Sequence, residues 1–216
     1  MNNIRKTAGL LLMVMAAALL AAGCSRKDKE ASEPDTKRNA TLTVDEQEAI
    51  VITYTESFDK SYYDKEELES RTAEELAEFN KTASGDGSAV MESLNVKDGT
   101  AVMKIKFADE KVYVDYVKKY VKPDKEAKLF VGTYKDAVSA GYKFSGKFTC
   151  GEDLSTVEAK DFKETDGLTV VYTNEEQKIL VPGDIIYFSE NVSLEKGLAV
   201  TSEGKENYII YKSDEK

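Results

Sequence analysis

The sequence predicts an α+β fold, with a mixed β/α front half followed by an antiparallel β meander. Apolar residues recur at helical spacing only before about residue 142. From Tyr142 onward, short segments rich in β-branched and aromatic residues alternate with Gly, Asn, Pro-Gly and charged turns. Strands at this spacing are typical of an antiparallel meander that forms a small sheet or a partial barrel. We therefore expect an α+β region over residues 44–142 and an antiparallel β region over residues 143–216.

The first 23 residues have the pattern of a secretory signal peptide. Arg5 and Lys6 give a positively charged start, and the stretch from Ala8 to Ala22 is almost entirely apolar. This apolar run has about 15 residues, fewer than the roughly 20 that span the hydrocarbon core of a bilayer. The pattern therefore predicts a signal peptide over residues 1–23 rather than a permanent transmembrane helix.

The apolar run ends in the step Leu20-Ala21-Ala22-Gly23-Cys24. This step resembles the lipobox of bacterial lipoproteins, with Ala21 at the place where that family prefers leucine. The resemblance implies that the Cys24 thiol receives a diacylglycerol and that the signal is cut just before it. Two acyl chains anchor a protein stably, since each buried methylene contributes about 0.8 kcal/mol. Membrane lipid is thus the expected partner of acylated Cys24, on the outer face of the membrane.

The segment after Cys24 has the composition of a flexible tether. Residues 25–40 contain one Pro, mixed charges and no aliphatic side chain larger than Ala. Such a segment cannot bury enough apolar surface to fold, and a coil of about 16 residues spans on the order of 20 Å. We expect the lipidated cysteine and a disordered tether to cover residues 24–43.

A strand and a long helix are predicted next. The segment EAIVITYT at 48–55 is β-branched, as strands are. Asp64 can cap a helix, with Glu67 at the reciprocal position of a capping box. The apolar positions of this helix fall near one face: Leu68, Thr72, Leu76 and Phe79.

A hairpin follows the helix. The segments AVMESLNV and TAVMKIKF flank Lys97-Asp98-Gly99, a strong turn signal. In the second segment every second residue is apolar, so these residues lie on one face of the strand: Ala101, Met103, Ile105 and Phe107. This alternation predicts one buried face and one wetter face.

Two shorter helices complete the front half. The first carries apolar residues at helical spacing and ends at Pro123: Tyr113, Tyr116, Val117, Tyr120 and Val121. The second has Thr133 as its cap, Asp136 at the reciprocal position and Gly141 as its stop. With its YYDKEEL (62–68) and FN (79–80) elements, the front half is similar to uncharacterised lipoproteins of Gram-positive anaerobes, a resemblance that implies no activity.

Charge and composition exclude several functions. Removal of residues 1–23 takes away Arg5 and Lys6, which leaves 28 basic against 40 acidic residues. A nucleic-acid partner is therefore not expected, because binding to nucleic acid needs a basic footprint. The chain has no histidine, which removes the commonest general base and the usual zinc ligand sets. We expect no cofactor and no metal.

Cys150 is the second of the two cysteines, so an intramolecular disulfide is not expected once Cys24 carries lipid. One interpretation is a redox sensor or a covalent partner site. The other is a small, half-buried strand residue, and free cysteines usually pack as small hydrophobes.

Two groups of residues could form a site. The acidic group consists of Glu66, Glu67, Glu74, Glu75, Glu78, Asp109 and Glu110. One interpretation is a solvated helix face, with Glu67 and Arg71 paired at i,i+4. The other is that two of these residues form a glycosidase-like acid pair. The aromatic group either packs in the core or forms a platform on which sugars or peptides stack. It consists of Tyr54, Phe58, Tyr62 and Tyr63.

These observations favour a membrane-anchored extracytoplasmic lipoprotein of a non-enzymatic, binding or interaction type, with an envelope protein as its partner. Two alternatives stay open. One is a solute-binding lipoprotein of a transporter, and the other is a carboxylate-dependent envelope hydrolase.

Overall fold

The computed structural model describes residues 40–82, 88–163 and 165–213, and its architecture is α+β, which confirms the predicted fold class. The helical segments are α1 (Lys65–Thr82), α2 (Glu110–Tyr116), a π-helical turn that continues α2 (Val117–Val121), α3 (Tyr134–Ser139) and a 3-10 turn (Ala159–Asp161). None of the helices in these ranges has the length and apolarity that a membrane crossing requires.

Thirteen strands are present in the described ranges. They are β1 (Ala40–Val44), β2 (Ile50–Ser57), β3 (Ala89–Lys97), β4 (Thr100–Phe107), β5 (Leu129–Thr133), β6 (Lys147–Cys150), β7 (Thr156–Glu158), β8 (Leu168–Thr173), β9 (Lys178–Leu180), β10 (Gly183–Ser189), β11 (Ser193–Glu195), β12 (Leu198–Val200) and β13 (Asn207–Ser213). They form two sheets, which we call sheet A and sheet B.

Sheet A has the strand order β11-β12-β9-β1-β2-β4-β3. Its neighbouring strands are antiparallel except for β1 and β9, which are parallel, with Leu42 opposite Ile179. Sheet B has the order β5-β8-β13-β10-β6-β7 and is antiparallel throughout. The strand order in sheet B differs from the order along the chain.

Both sheets draw strands from either side of residue 142. β9, β11 and β12 belong to sheet A, and β5 belongs to sheet B beside β8. One hydrophobic core contains residues of both sheets, including Leu42 and Ile105 of sheet A and Val171 and Ile209 of sheet B. The boundary predicted at residue 142 therefore marks a change in composition, and the hydrogen bonds of both sheets cross it.

The tether predicted over residues 24–43 is wrong for residues 40–43, which belong to β1. The reason is the alternation in ATLTV, where Leu42 and Val44 point into the core and are 1% exposed. A five-residue strand next to a polar segment carries little apolar signal. The remainder of the predicted tether, Cys24 and the predicted signal peptide lie outside the described residues.

The long helix α1 begins where its capping signal predicts. Glu67 N donates to Asp64 Oδ1 at 2.9 Å, which satisfies one of the free amides of the first turn. The predicted apolar face is buried, and one further residue of α1, Glu75, is buried with it.

The predicted hairpin is the β3–β4 pair. Lys97 lies opposite Thr100, and the two turn residues, Asp98 and Gly99, both have positive φ, at 50° and 72°. Positive φ at both central residues defines the type I′ turn, whose twist matches that of the strands. The side chains of β4 alternate as predicted, with Phe107 and Ile105 fully buried.

Both shorter helices are capped, α2 by Asp109, which was not predicted as a cap, and α3 by Thr133 as predicted. Val112 N donates to Asp109 Oδ1 at 2.8 Å at the start of α2. Asp136 N donates to Thr133 Oγ1 at 3.1 Å at the start of α3. Gly141 follows α3 with a φ of 87°, a conformation that favours glycine.

A second hydrophobic cluster covers the other face of sheet B. Its rings contact one another in series, and Phe162 stacks on Tyr187 with ring centroids 4.2 Å apart. Ala137 of α3 packs into this cluster without exposed surface. Burial, followed by the charge of Glu206, raises the pKa of Tyr208 to about 12. Sheet B therefore packs apolar side chains on both faces.

The side chain of Asn207 hydrogen-bonds both the end of β8 and the loop between β12 and β13, which connects the two sheets. Its Nδ2 lies 2.9–3.0 Å from the carbonyl oxygens of Thr173, Ser202 and Lys205. Its Oδ1 accepts a hydrogen bond from Ser202 N at 3.0 Å. Because Asn207 has no exposed surface, these partners replace the water that its amide would otherwise bind.

We expect Asn207→Ala to lower the free energy of unfolding by about 3 kcal/mol, because it leaves several buried backbone groups without a partner. Urea denaturation followed by circular dichroism measures the loss. Asn95→Ala, on the exposed side of β3, is the matched control and should change stability by less than about 0.5 kcal/mol. Equal losses in the two variants would contradict the structural role of Asn207.

Candidate functional site: a pocket beside a buried tyrosine–glutamate cluster

A small pocket lies at the start of β1, between sheet A and the π-helical turn. Ala40 and Leu42 of β1 lie opposite Tyr54 and Ile52 of β2, and these side chains share one face of the sheet. The remaining lining residues come from α2, the π-helical turn and the β8–β9 loop: Tyr113, Val117, Val121, Lys122, Glu175, Glu176 and Gln177.

The size of the pocket limits what it can hold. Its volume is about 70 Å³, and one water molecule needs roughly 10–15 Å³ of such space. Pockets for drug-sized ligands are several times larger, at about 300–1,000 Å³. The pocket therefore has room for a few waters or for a solute of a few heavy atoms.

An ion-pair network closes one side of the pocket. The Nζ atom of Lys122 contacts the carboxylate of Glu175, whose residue surface is 3% exposed. The same Nζ lies 3.5 Å from Oε2 of Glu203, and Lys125 Nζ lies 2.5 Å from Oε1 of Glu203. A buried carboxylate costs several kcal/mol unless it is paired. Lys122 therefore offsets the cost of burying Glu175.

Gln177 supplies the amide of the pocket. Its Nε2 lies 2.6 Å from Tyr113 Oη, and its Oε1 is buried without a hydrogen-bond partner among the described residues. The two ends of an amide are assigned by their hydrogen bonds, and in either orientation one polar atom of Gln177 lacks a protein partner. Buried polar atoms of this kind are normally satisfied by an ordered water or a ligand.

Behind the pocket, a carboxylate and a tyrosine are buried together. Tyr116 Oη donates to Glu75 Oε1 at 2.6 Å, and Glu75 is 6% exposed. The Tyr116 ring lies edge-on to Phe79, with centroids 5.4 Å apart, and 5.1 Å from Phe107. This cluster therefore joins α1, α2 and sheet A through one charge-assisted hydrogen bond and its aromatic surroundings.

Burial raises the pKa values of the tyrosines at this site above their ordinary value. For Tyr54 the charge of Glu75 adds to burial, and for Tyr116 the neighbouring Tyr54 and then Glu75 add to it. Burial and the neighbouring Tyr54 raise the pKa of Tyr113, while its hydrogen bond with Gln177 acts in the opposite direction. The three phenols therefore stay protonated at physiological pH, and Tyr116 donates its proton in the hydrogen bond to Glu75.

The π-helical turn positions the residues above the pocket. Lys122 N donates to Val117 O at 2.8 Å, a five-residue spacing. Such turns insert one residue into an α-helix and are frequent at functional sites. Pro123 then prevents the helix from continuing, so Lys122 is left at its end, beside Glu175.

The predicted acidic residues do not share one place. Glu66, Glu67, Glu74 and Glu78 are exposed on α1, and Glu67 Oε1 pairs with Arg71 at 2.5 Å as predicted. Asp109 caps α2, and Glu110 is half-buried in its first turn. Glu75 alone of this group is buried, so its assignment to a solvated helix face is wrong. It lies on the same helix face as Leu68, Leu76 and Phe79, and that face packs against the core.

The predicted aromatic group divides into two parts. Tyr54 lines the pocket, whereas Phe58, Tyr62 and Tyr63 contact one another beyond the end of β2. We call these three residues the aromatic trio. Their ring centroids are 5.0 Å apart for Phe58 and Tyr63 and 5.1 Å apart for Tyr62 and Tyr63.

Cys150 lies in β6 with a free, half-buried thiol and packs against the aromatic cluster of sheet B. This is the environment of a small strand residue. Within the described ranges, no group of three or more acidic or cysteine side chains is arranged to hold a metal ion. Cys24, the predicted lipidation site, lies outside those ranges.

Comparison of the chain with models of protein families, with curated proteins and with solved structures found no match.

The polar residues of the pocket from Lys122 and the β8–β9 loop were not predicted from the sequence, nor was Glu203, which pairs with Lys122: Lys122, Glu175, Glu176, Gln177 and Glu203. They come from segments far apart along the chain, and each is a common surface residue type. The segment NEEQ (174–177) reads as a polar turn between two strands. Its burial follows from the way β9 pairs with β1, which no local pattern reveals.

We expect Lys122→Met to lower the free energy of unfolding by about 3–5 kcal/mol, because Glu175 then stays buried without its cation. Adding Glu175→Gln to this variant should restore part of the loss. Urea denaturation measures both variants.

Lys125→Met is the matched control, since Lys125 pairs with the same Glu203 on the exposed side. It should cost less than about 1 kcal/mol. If Lys125→Met and Lys122→Met cost the same, the burial of the Lys122–Glu175 pair has no energetic consequence.

Proposed function

We propose that the protein is a lipid-anchored extracytoplasmic protein of a bacterial envelope, and that its folded domain binds a partner rather than transforming a substrate. The observation that carries this proposal is the small-residue step that ends at Cys24, directly after an apolar run and before a polar segment. Acylation of Cys24 with two chains would anchor the protein on the outer face of the membrane.

The charge of the chain limits the class of partner that we propose. Without residues 1–23 the chain has 12 more acidic than basic residues, which favours solubility and disfavours nucleic acid. An envelope protein is the partner class that we propose for the folded domain.

The chemistry of the pocket also supports binding. Its ionic groups contact one another, Lys122 with Glu175 and Glu203, and its phenols are held protonated by burial. Groups in this state can position a bound molecule through hydrogen bonds and charge. A catalytic acid or base, by contrast, works best with a pKa near the operating pH.

Cys24→Ala tests the anchor. We expect the wild-type chain, expressed in a bacterial host, to stay with the membrane until detergent is added and to carry the mass of a diacylglyceryl group. The Cys24→Ala variant should keep its signal peptide and lack this mass, because the acceptor thiol is gone. Membrane fractionation and intact mass spectrometry make both measurements.

Cys150→Ala is the matched control, because it removes the other cysteine and leaves the lipobox intact. It should behave as the wild type in both measurements. A Cys24→Ala variant with the same mass difference and membrane retention as the wild type would refute the anchor.

The pocket favours a second candidate function, a receptor for a small polar solute. Gln177 lines the pocket together with Tyr54 and Tyr113, and it has a buried polar atom without a partner among the described residues. The volume of about 70 Å³ restricts the solute to a few heavy atoms.

A thermal-shift panel of small amino acids, carboxylates and amides tests this candidate. A solute at about 100 times its Kd should stabilise the wild type by about 2.7 kcal/mol. Gln177→Leu should abolish the shift, and Gln47→Leu, on an exposed turn, should not. Equal shifts in both variants, or none in the wild type, would exclude this function for the pocket.

A further inference from the structure

The aromatic trio is a fixed surface feature. Tyr62 is 50% exposed, while Phe58 is partly buried and packs against the main core. Phe58 N donates to Gly99 O at 2.7 Å, and Tyr63 N donates to Lys60 O at 3.0 Å. The rings therefore stand on a hydrogen-bonded turn that leads directly into the cap of α1.

The trio lies at the end of sheet A where the chain enters it. Ala40 is the first residue of β1 and lies opposite Tyr54 of β2. From Tyr54, β2 continues to Ser57 and then to Phe58, a path of four residues, or about 13 Å of extended chain. The trio and the point of chain entry therefore share one end of the sheet.

The charges around the trio are of both signs, with acidic residues in excess. Lys60 Nζ lies 3.3 Å from Asp59 Oδ1, and the adjacent hairpin turn contains Lys97 and Asp98. The acidic first turn of α1 follows, with Glu66 and Glu67. An uncharged or zwitterionic surface therefore suits the trio better than an anionic one.

The small number of residues between Cys24 and Ala40 limits how far this end of the molecule can lie from the proposed anchor. The sequence predicts a flexible tether between them, which spans on the order of 20 Å. A short flexible linker holds its two ends at an effective concentration of about millimolar. A weak affinity of the trio for lipid is then sufficient for contact.

We propose that the aromatic trio contacts the headgroup region of the membrane that holds Cys24, so that the start of β1 and the pocket beside it face the bilayer. Tyr rings have an apolar body and a polar tip, and they are enriched at membrane–water interfaces for this reason. This inference rests on the proposed lipid anchor.

The chain contains no Trp, so one introduced Trp reports on one place. The test uses the lipidated full chain with Tyr62→Trp, reconstituted in phosphatidylcholine vesicles that contain nitroxide-labelled headgroups. Leu154→Trp is the control. Leu154 is 67% exposed and lies in the β6–β7 turn, near the start of β10. β10 follows β9, and β9 ends beside Thr43, at the Val44 end of sheet A. Tyr63→Trp is a second reporter within the trio.

We expect the emission of Tyr62→Trp and Tyr63→Trp to be quenched several-fold more than that of Leu154→Trp. Flotation of the same vesicles tests the anchor separately. If the proteins float and all three reporters are quenched equally, the contact is refuted and the anchor stands. If the proteins extracted from membranes do not float, the anchor is refuted, and the contact with it.

Discussion

The pairing of β1 with strands on both of its sides is the interaction on which the rest of the structure depends. β1 has five residues, and it hydrogen-bonds to β2 in the antiparallel direction and to β9 in the parallel direction. β9 in turn pairs with β12, so β1 connects the front strands of sheet A to strands from the end of the chain. Because Leu42 and Val44 also enter the core, one short strand joins the two halves of the chain through both hydrogen bonds and burial.

The same pairing creates the candidate site. The β8–β9 loop, which carries Glu175 and Gln177, is held above the first residues of β1 because β9 lies alongside that strand. Lys122, at the end of the π-helical turn, then neutralises a carboxylate that would otherwise be too costly to bury. Behind it, Tyr116 plays a similar part for Glu75 through a hydrogen bond. Two carboxylates are thus buried in the part of the chain that the structure describes, one stabilised by Tyr116 of α2 and the other by Lys122 directly after the π-helical turn.

Anchor, pocket and aromatic trio belong to one end of sheet A in our proposals. Ala40 lines the pocket and is also the residue through which the predicted tether joins the domain. Lipid attached to Cys24 would keep this end near the bilayer, and the trio would set the orientation of the domain on it. The opposite end of the sheet, at the Asp45 turn, would then be free for a partner in the envelope. There, Lys106 Nζ pairs with Asp45 Oδ2 at 2.9 Å, an ionic contact that stabilises the turn after β1.

The sequence by itself determined the features that depend on neighbours along the chain. Asp64 and Thr133 cap their helices, Asp98-Gly99 forms the turn of the β3–β4 hairpin, and the fold class follows from the change of period near residue 142. These are local effects of side chains on nearby backbone, so a short window of sequence contains their cause. The lipobox resemblance at Cys24 is equally local.

Only the tertiary structure decided that β1 is a strand, that β9 crosses to sheet A, and that Glu75 and Glu175 are buried. Each of these depends on residues far apart in the chain, since a strand becomes favourable and a buried charge tolerable only when a distant partner is in place.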